Sequence, residues 1–282
     1  MENNSGNDKA ESIASAPLSS IVFPAGALSQ SSVKLGILVD TADYFALAKP
    51  SGVVVRQHPW ESALNLDRAC NDALLHQRKW TQVLGCEKIG SVYPLDQAIG
   101  GVVLFAKHAE ALERARNAFG SYQMAFEFCL LVWEGDGVKA EAELHCDMPM
   151  LADFGQQKLL PARRRGKRCE THFRRLQATR GGWSLWQAKS SYPRLHQIRA
   201  HAQLMGLAIA GDSQYGTQRV PIARELLGGG SGPGLQKPLL ESVGVHLGAV
   251  RLPAELVAGD CECIKSEPPA DFTNCLRKAK WL

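Results

Sequence analysis

Two residues of this chain combine reactive side chains with positions that demand a reason. Asp96 lies within residues 89–107 (IGSVYPLDQAIGGVVLFAK), in a short connection between two apolar runs. Residues 102–106 read as a buried strand, being short, rich in Val and bounded by Gly100 and Gly101 on one side and Lys107 on the other. An aspartate there can simply hydrogen-bond its own turn. It can also be a nucleophile held at the end of a sheet, ready for covalent catalysis. Arg199 sits on a helix predicted from near Leu195, with an apolar stripe of Leu195, Ile198, Ala202 and Met205 and a stop at Gly206. One turn after Leu195, Arg199 borders that stripe, where a guanidinium is costly to desolvate unless a carboxylate or hydrogen bonds meet it. Something anionic should face it.

Further charge is concentrated in one place. Residues 162–175 hold seven cations, Arg163, Arg164, Arg165, Lys167, Arg168, Arg174 and Arg175, and one anion, Glu170. That is +6 of a net +4, leaving −2 for the other residues. Such a run can be a solvated face; on an otherwise near-neutral body it is also the electrostatic footprint of a polyphosphate partner. His196 and His201 share the Arg199 helix, but the spacing supplies no third ligand for zinc. The cysteines, at Cys70, Cys86, Cys129, Cys146, Cys169, Cys261, Cys263 and Cys275, lack paired C-x-x-C spacing and read as reduced thiols, so no metal is expected. No run of 18 apolar residues exists, and the start (Glu2, Asn3, Asn4) lacks the basic flank and apolar core of a secretory signal. A cytoplasmic protein with no membrane association is expected.

The elements that must hold these residues can be read from periodicity and breakers. Residues 1–32 mix Ser, Asn, Gly and Ala around Pro17, Pro24 and Gly26 and predict a mostly disordered lead. Strands are predicted at 35–39 and 44–48 around a turn at 40–43, with Pro50, Ser51 and Gly52 ending the second. Helical spacing of Leu66, Ala69, Cys70, Ala73 and Leu74 predicts a helix over 66–78 that lies on the sheet. Ala111, Leu112, Ala115, Ala118 and Phe119 predict another, stopped at Gly120. Residues 126–133 read as an apolar strand. Residues 170–176 and 183–188 read as a hairpin about Gly181 and Gly182, which puts the cations on a loop and its first strand. Residues 217–240, rich in Gly and Pro, predict a mobile loop; strands near 243–252 and a short helix over 270–279 follow.

Taken together with residues 192–201 (YPRLHQIRAH), the Asp96 stretch resembles the pseudouridine synthase family, in its RluA-like branch of ribosomal large-subunit enzymes. That branch carries a first motif H-R-L-D-x-x-T-S-G and a third G-R-x-H-Q-I-R-x-H. Lys49-Pro-Ser-Gly52, residues 211–216 (GDSQYG) and the late His246-Leu247 strand match in the same order, and the likeness runs from about Gly36 onward. The resemblance implies an α+β fold, with a central mixed, mainly antiparallel sheet flanked by helices and loops. It implies one catalytic domain over 33–282, the lead being too short for a further RNA-binding core. The implied activity is isomerisation of uridine to pseudouridine in ribosomal or transfer RNA by a monomer, with no cofactor because no atom enters or leaves.

In that reading Asp96 forms the covalent link and pairs with Arg199. The guanidinium keeps ionised a carboxyl whose ordinary pKa of about 3.9 burial would raise far enough to protonate it. The target base must be flipped out to be reached. Phe128, or by a one-residue change of register Cys129, stands where the family has a tyrosine stacked on the base. Arg163, Arg164, Arg165, Lys167 and Arg168 bind RNA, Arg194 and His196 contact phosphate or shape the site, and Tyr215 supports its wall.

The chain also departs from the pattern. Tyr93-Pro94 replaces His-Arg, Ile99-Gly100-Gly101 replaces Thr-Ser-Gly, Pro193 replaces a glycine, and the tyrosine hydroxyl is lost. Two readings stay open: a synthase with a modified base-flipping apparatus, and an RNA-binding relative with little or no catalysis.

Overall fold

In the computed structural model, residues 18–59, 64–135, 141–257 and 261–282 are described. The chain begins with strands β1 (Ser20–Phe23), β2 (Val33–Asp40) and β3 (Tyr44–Lys49), followed by helices α1 (Leu66–Leu75) and α2 (Lys79–Val83). Then come β4 (Gly90–Ser91), β5 (Gly100–Ala106), helix α3 (Ala109–Gly120) and β6 (Ala125–Trp133). Next are β7 (Glu143–Cys146), the hairpin β8 (Met150–Asp153) and β9 (Lys158–Pro161), β10 (Thr171–Arg180), β11 (Trp183–Ser190) and helix α4 (Gln197–Leu204). The chain closes with β12 (Ala208–Ile209), α5 (Ala223–Leu227), β13 (Val245–Arg251), β14 (Cys263–Lys265) and α6 (Ala270–Ala279).

The main sheet runs β1-β2-β3-β5-β13-β6-β11-β10-β7, with β4, β12 and β14 paired onto β5, β6 and β13. Among the described strand pairs only β13 with β5 is parallel. The architecture is therefore α+β with a mixed, mainly antiparallel sheet, as expected. At the parallel contact Gly100 and Gly101 stand opposite His246 and Leu247. Gly101 has φ +134°, and a Cβ there would come within 2.3 Å of the Leu247 carbonyl oxygen. Gly101 is thus required by close strand approach, directly after the Asp96 connection, while a Cβ at Gly100 would press on the Lys49 carbonyl oxygen at 3.1 Å.

β5 is buried along its whole length because β3 and β13 flank it and α3 packs on it. In β6, Phe126, Phe128 and Leu130 face the larger core cluster, while Cys129 faces a second cluster that includes Leu131 and Trp183 and is covered by α6. α1 begins where the Asn65 side chain accepts from the Arg68 N–H, which satisfies one orphan donor of the first turn.

The elements read from the sequence over 35–48, 66–78, 102–133, 170–188 and 270–279 all form, with ends shifted by a few residues. Three differences stand out. Of the lead over 1–32, residues 1–17 lie outside the described residues, and within the rest Ser20–Phe23 is not disordered but pairs with β2. The segment 217–240 is not featureless: it contains α5, capped by Gly228 in the left-handed conformation. The β8–β9 hairpin was not expected at all.

Candidate active site

The site forms where α4 begins, against the connection from β4 to β5. His196, the residue before the first turn of α4, has φ 65° and ψ −1°. A non-glycine residue is held in that left-handed region only at some cost, so the surroundings must fix it. Two contacts do so. Its backbone N–H donates to Asp96 Oδ1 at 2.7 Å, and its ring Nδ1 lies 3.1 Å from the Tyr215 hydroxyl. That hydroxyl already accepts from the Leu159 N–H on β9 at 2.6 Å. Its own proton can go to His196 Nδ1, an arrangement that puts the imidazole proton on Nε2. Burial pushes His196 below the usual histidine pKa, consistent with a neutral ring, and pushes the Tyr215 phenol up to about 12.

Arg199 follows one turn later and is buried. It was expected to bridge to Asp96, and its Nη1 does lie 3.6 Å from Asp96 Oδ2. Its hydrogen bonds, however, go elsewhere. Nε and Nη2 donate to the two oxygens of Asp212, each at 2.7 Å, and Nη2 also reaches Gln214 Oε1 at 3.2 Å. The physical reason is the planar fork of the guanidinium. One edge takes Asp212 in bidentate fashion, so only the remaining nitrogen can face Asp96. Asp212 is itself pinned in its turn, accepting from the backbone N–H of Gln214 and of Tyr215. Burial alone would raise Asp212 and lower Arg199, but their mutual bonds and charges win. Asp212 is held below the usual carboxylate range and Arg199 above its ordinary value.

Asp96 is thus a buried carboxylate with unequal oxygens. Oδ1 is anchored by the His196 N–H, whereas Oδ2 has no hydrogen-bond partner. The connection that carries it is held from below by the Lys49–Val53 turn. Lys49 Nζ donates to the carbonyls of Pro50, Val53 and Gln97, and Ser51 Oγ donates to the Ala98 carbonyl.

Asp96 faces a recess lined in part by Tyr93, Phe128, Ile198 and Leu247, with a volume of only about 10 Å³. That is room for one water at most. Pro94, Leu95, Pro193 and Arg194 border both this recess and a cleft of about 620 Å³. The β8–β9 hairpin forms the far wall of that cleft through Met150, Leu151, Ala152, Phe154 and Leu159. Phe128 rather than Cys129 shares the recess with Asp96. Tyr93, in the motif position of a histidine, is a core residue whose hydroxyl donates to the Val102 carbonyl at 3.0 Å.

Arg163, Arg164, Arg165, Lys167 and Arg168 lie exposed on the β9–β10 loop. Lys167 reaches the cleft, and Arg163 and Arg168 line a neighbouring groove of about 780 Å³. Arg194 stacks over Tyr192 at 4.9 Å and borders cleft and recess. His196 is largely buried and contacts Asp96 and Tyr215, and it also lines a groove of about 540 Å³ together with Arg199 and Asp212. Arg175 belongs to the interior, bridging to buried Glu134 at 3.2 Å. His201 bonds Thr171 Oγ1 and lies 3.0 Å from the Met148 carbonyl oxygen, which makes it a helix anchor. Asp212 and Gln214, which complete the charge network, were not singled out from the sequence, although residues 211–216 were noted as a matching segment.

A family model described as RNA pseudouridylate synthase matches residues 43–204, more than half of the chain. Ribosomal large subunit pseudouridine synthase D of Zymomonas mobilis is 27% identical over 191 residues, 66% of this chain and 57% of that one. An uncharacterized RNA pseudouridine synthase of Bacillus subtilis is 25% identical over 185 residues, 66% of this chain and 59% of its own. The chain therefore spans under two thirds of the length of these relatives. Human RNA Pseudouridylate Synthase Domain Containing 4 shares the fold, with a TM-score of 0.63 over 87% of this chain and 93% of that one, at 18% identity. Among the described residues no helix is long and apolar enough to cross a membrane.

Proposed function

The chain belongs to the RNA pseudouridylate synthase family, in its RluA-like branch, and on that premise we propose that it isomerises uridine to pseudouridine within ribosomal or transfer RNA, with Asp96 as the nucleophile. The observation that carries the reading is the asymmetry of Asp96. Its Oδ1 is fixed by the His196 N–H, and its Oδ2, without a hydrogen bond, lies 3.6 Å from a guanidinium already committed to Asp212. Such an oxygen keeps its lone pairs free for attack on carbon, next to a positive charge that does not engage them in a hydrogen bond.

In the proposed reaction Asp96 Oδ2 forms a transient bond to the sugar or the base as the N1 glycosidic bond breaks. The uracil then turns, C5 bonds to the sugar and the bond to Asp96 breaks; the C5 proton leaves to solvent and N1 takes one up, so the net change is an isomerisation. Substrate and product are isomers at the same oxidation level, so the proposed reaction consumes no co-reactant. The same reading carries the expectations of a monomer working in the cytoplasm. Phe128 presents an aromatic face beneath the reacting base, and Arg194 and the cations of the β9–β10 loop hold the strand.

A second reading, an RNA-binding relative with little catalysis, draws on two observations. The recess of about 10 Å³ must widen before a pyrimidine can enter, and Pro94 offers neither charge nor N–H beside Asp96. Release of tritium from RNA labelled at uridine C5 separates the two. Turnover by the intact chain that vanishes in Asp96→Asn supports the synthase, whereas no release from total cellular RNA leaves only the binder.

A further inference from the structure

The cleft that shares Pro94, Leu95, Pro193 and Arg194 with the Asp96 recess is lined by Arg56, His58, Arg116, Lys167 and Arg194, and among the described residues by no Asp or Glu. Two of these cations form a built unit outside the basic loop. Arg56 Nη2 donates to the Ser91 carbonyl at 3.2 Å, and Arg116 donates to the same oxygen through Nε at 3.2 Å and Nη2 at 2.9 Å. Ser91 is held in place from the other side: its N–H and hydroxyl donate to the two oxygens of Asp67 at 2.8 and 2.9 Å. Asp67, the carboxylate whose charge reaches Arg56, is thereby committed to Ser91.

Among the described residues neither Arg56 nor Arg116 forms an ion pair, and the buried Nε of Arg56 has no hydrogen-bond partner. One neutral carbonyl orients two guanidiniums but cancels neither charge. Burial, and then the charge of Arg116, push Arg56 below its ordinary pKa, with Asp67 opposing. Two like charges fixed side by side on one oxygen, in a cleft that no described carboxylate lines, call for an anion that can accept from both. A tetrahedral phosphate, with several acceptor oxygens, fits that need better than a single carboxylate. Phe119 and Tyr192 on the same cleft suit the nucleoside attached to it, while Val92 and Pro94 between the arginines and Asp96 supply no charge.

We propose that Arg56 and Arg116 form a phosphate subsite that grips the RNA backbone next to the target nucleotide. This rests on the reading of the chain as an RNA-acting enzyme and adds two residues outside the β9–β10 loop to those that take the strand. A phosphate contact fixes register without reading sequence, so the subsite contributes to binding in ground and transition states alike.

The test is equilibrium binding of a fluorescein-labelled, uridine-containing RNA hairpin of about 20 nucleotides to the full chain, from about 50 to 250 mM KCl. The same proteins are followed by circular-dichroism melting. Arg56→Gln/Arg116→Gln should bind about tenfold or more weakly at low salt and flatten the slope of log affinity against log salt by about one. Arg116→Lys, which keeps the charge, should restore the slope, and Arg277→Gln on α6, outside the cleft, should leave it unchanged. In steady-state tritium release the double variant should raise KM with kcat preserved within about twofold.

An unaltered slope in the double variant, or an equal change in Arg277→Gln, overturns the subsite, and a lowered melting temperature with unaltered slope assigns the arginines to holding Ser91 alone. If the unsubstituted chain binds no hairpin, the subsite and the proposed function fall together. If it binds with the expected slope change but releases no tritium, only the proposed catalysis falls.

Discussion

Asp96 and Asp212 share one arginine, and the structure expects their loss to have opposite consequences. Asp212 accepts four hydrogen bonds, two from Arg199 and one each from the N–H of Gln214 and Tyr215. In Asp212→Asn the amide nitrogen of the new side chain turns toward a guanidinium N–H, so one charge-assisted bond becomes a donor facing a donor. Arg199 is also left buried with its remaining counter-charge among the described residues 3.6 Å away at Asp96. Breaking a buried pair from one side costs about 3–5 kcal/mol. Asp96→Asn differs in kind. The new carbonyl oxygen can still accept from the His196 N–H, and Arg199 keeps its bidentate partner. What disappears is a buried charge whose second oxygen makes no hydrogen bond. The lost attraction to Arg199 is offset by the desolvation no longer required, so the net change should be within about 1 kcal/mol of zero.

Urea denaturation of the two variants beside the parent chain, with tritium release measured on the same preparations, checks both halves. Asp96→Asn should be folded, near parental in stability and inactive; Asp212→Asn should be destabilised by several kcal/mol. An Asp96→Asn midpoint lower than that of Asp212→Asn would refute the assignment of Arg199's bonds to Asp212.

Other outcomes follow from the same geometry. Tyr215→Phe strands the buried Leu159 N–H and His196 Nδ1 at once, which should cost about 1–3 kcal/mol; an unchanged urea midpoint would contradict the shared hydroxyl. His196, His201 and His246 are each held below the usual histidine pKa by burial. The unfolded chain therefore takes up protons first as the pH drops through about 6.5, and stability should fall until the folded values are reached. The slope should be up to about 1.4 kcal/mol per pH unit for each histidine. Denaturation midpoints at about pH 7.5 and pH 5.5 measure this, and a higher midpoint in acid would have the wrong sign. Gly101→Ala places a methyl 2.3 Å from the Leu247 carbonyl oxygen at φ +134°. It should prevent soluble expression or lower the melting temperature by about 7 °C or more, from about 4 kcal/mol or more of strain and displacement.

Much of the scaffold was legible because its signals are local. The Asp96 connection is bounded by β5, whose apolar run is continuous because both edges are covered, and Gly100 and Gly101 mark where β13 approaches. The alternation of Phe126, Phe128 and Leu130 on one face of β6 decides between Phe128 and Cys129 once the sheet shows which face holds Asp96. Elements that depend on distant partners were not legible. Ser20–Phe23 is four residues in a Ser- and Pro-rich context and is a strand only because β2 lies beside it. Met150–Asp153 and Lys158–Pro161 are equally short, and pair with each other away from the main sheet. In α5 five helical residues are outweighed by the glycines that follow, one of which, Gly228, is its cap.

The partner of Arg199 shows where such reading stops and why the difference matters chemically. Desolvation requires that an anion meet a buried guanidinium, and the helical stripe was enough to state that requirement. Which anion meets it depends on how the chain returns after α4 and β12, and the return delivers Asp212 to the bidentate edge. Had Arg199 clamped Asp96 instead, both carboxylate oxygens would be occupied by strong donors, lowering their reactivity toward carbon. With Asp212 taking the hydrogen bonds, the guanidinium acts on Asp96 through its charge, at a distance too long for a hydrogen bond. The backbone N–H of a strained His196 fixes one oxygen and leaves the other with its lone pairs. Asp212 is in this sense as much a condition for the proposed nucleophile as Arg199 is.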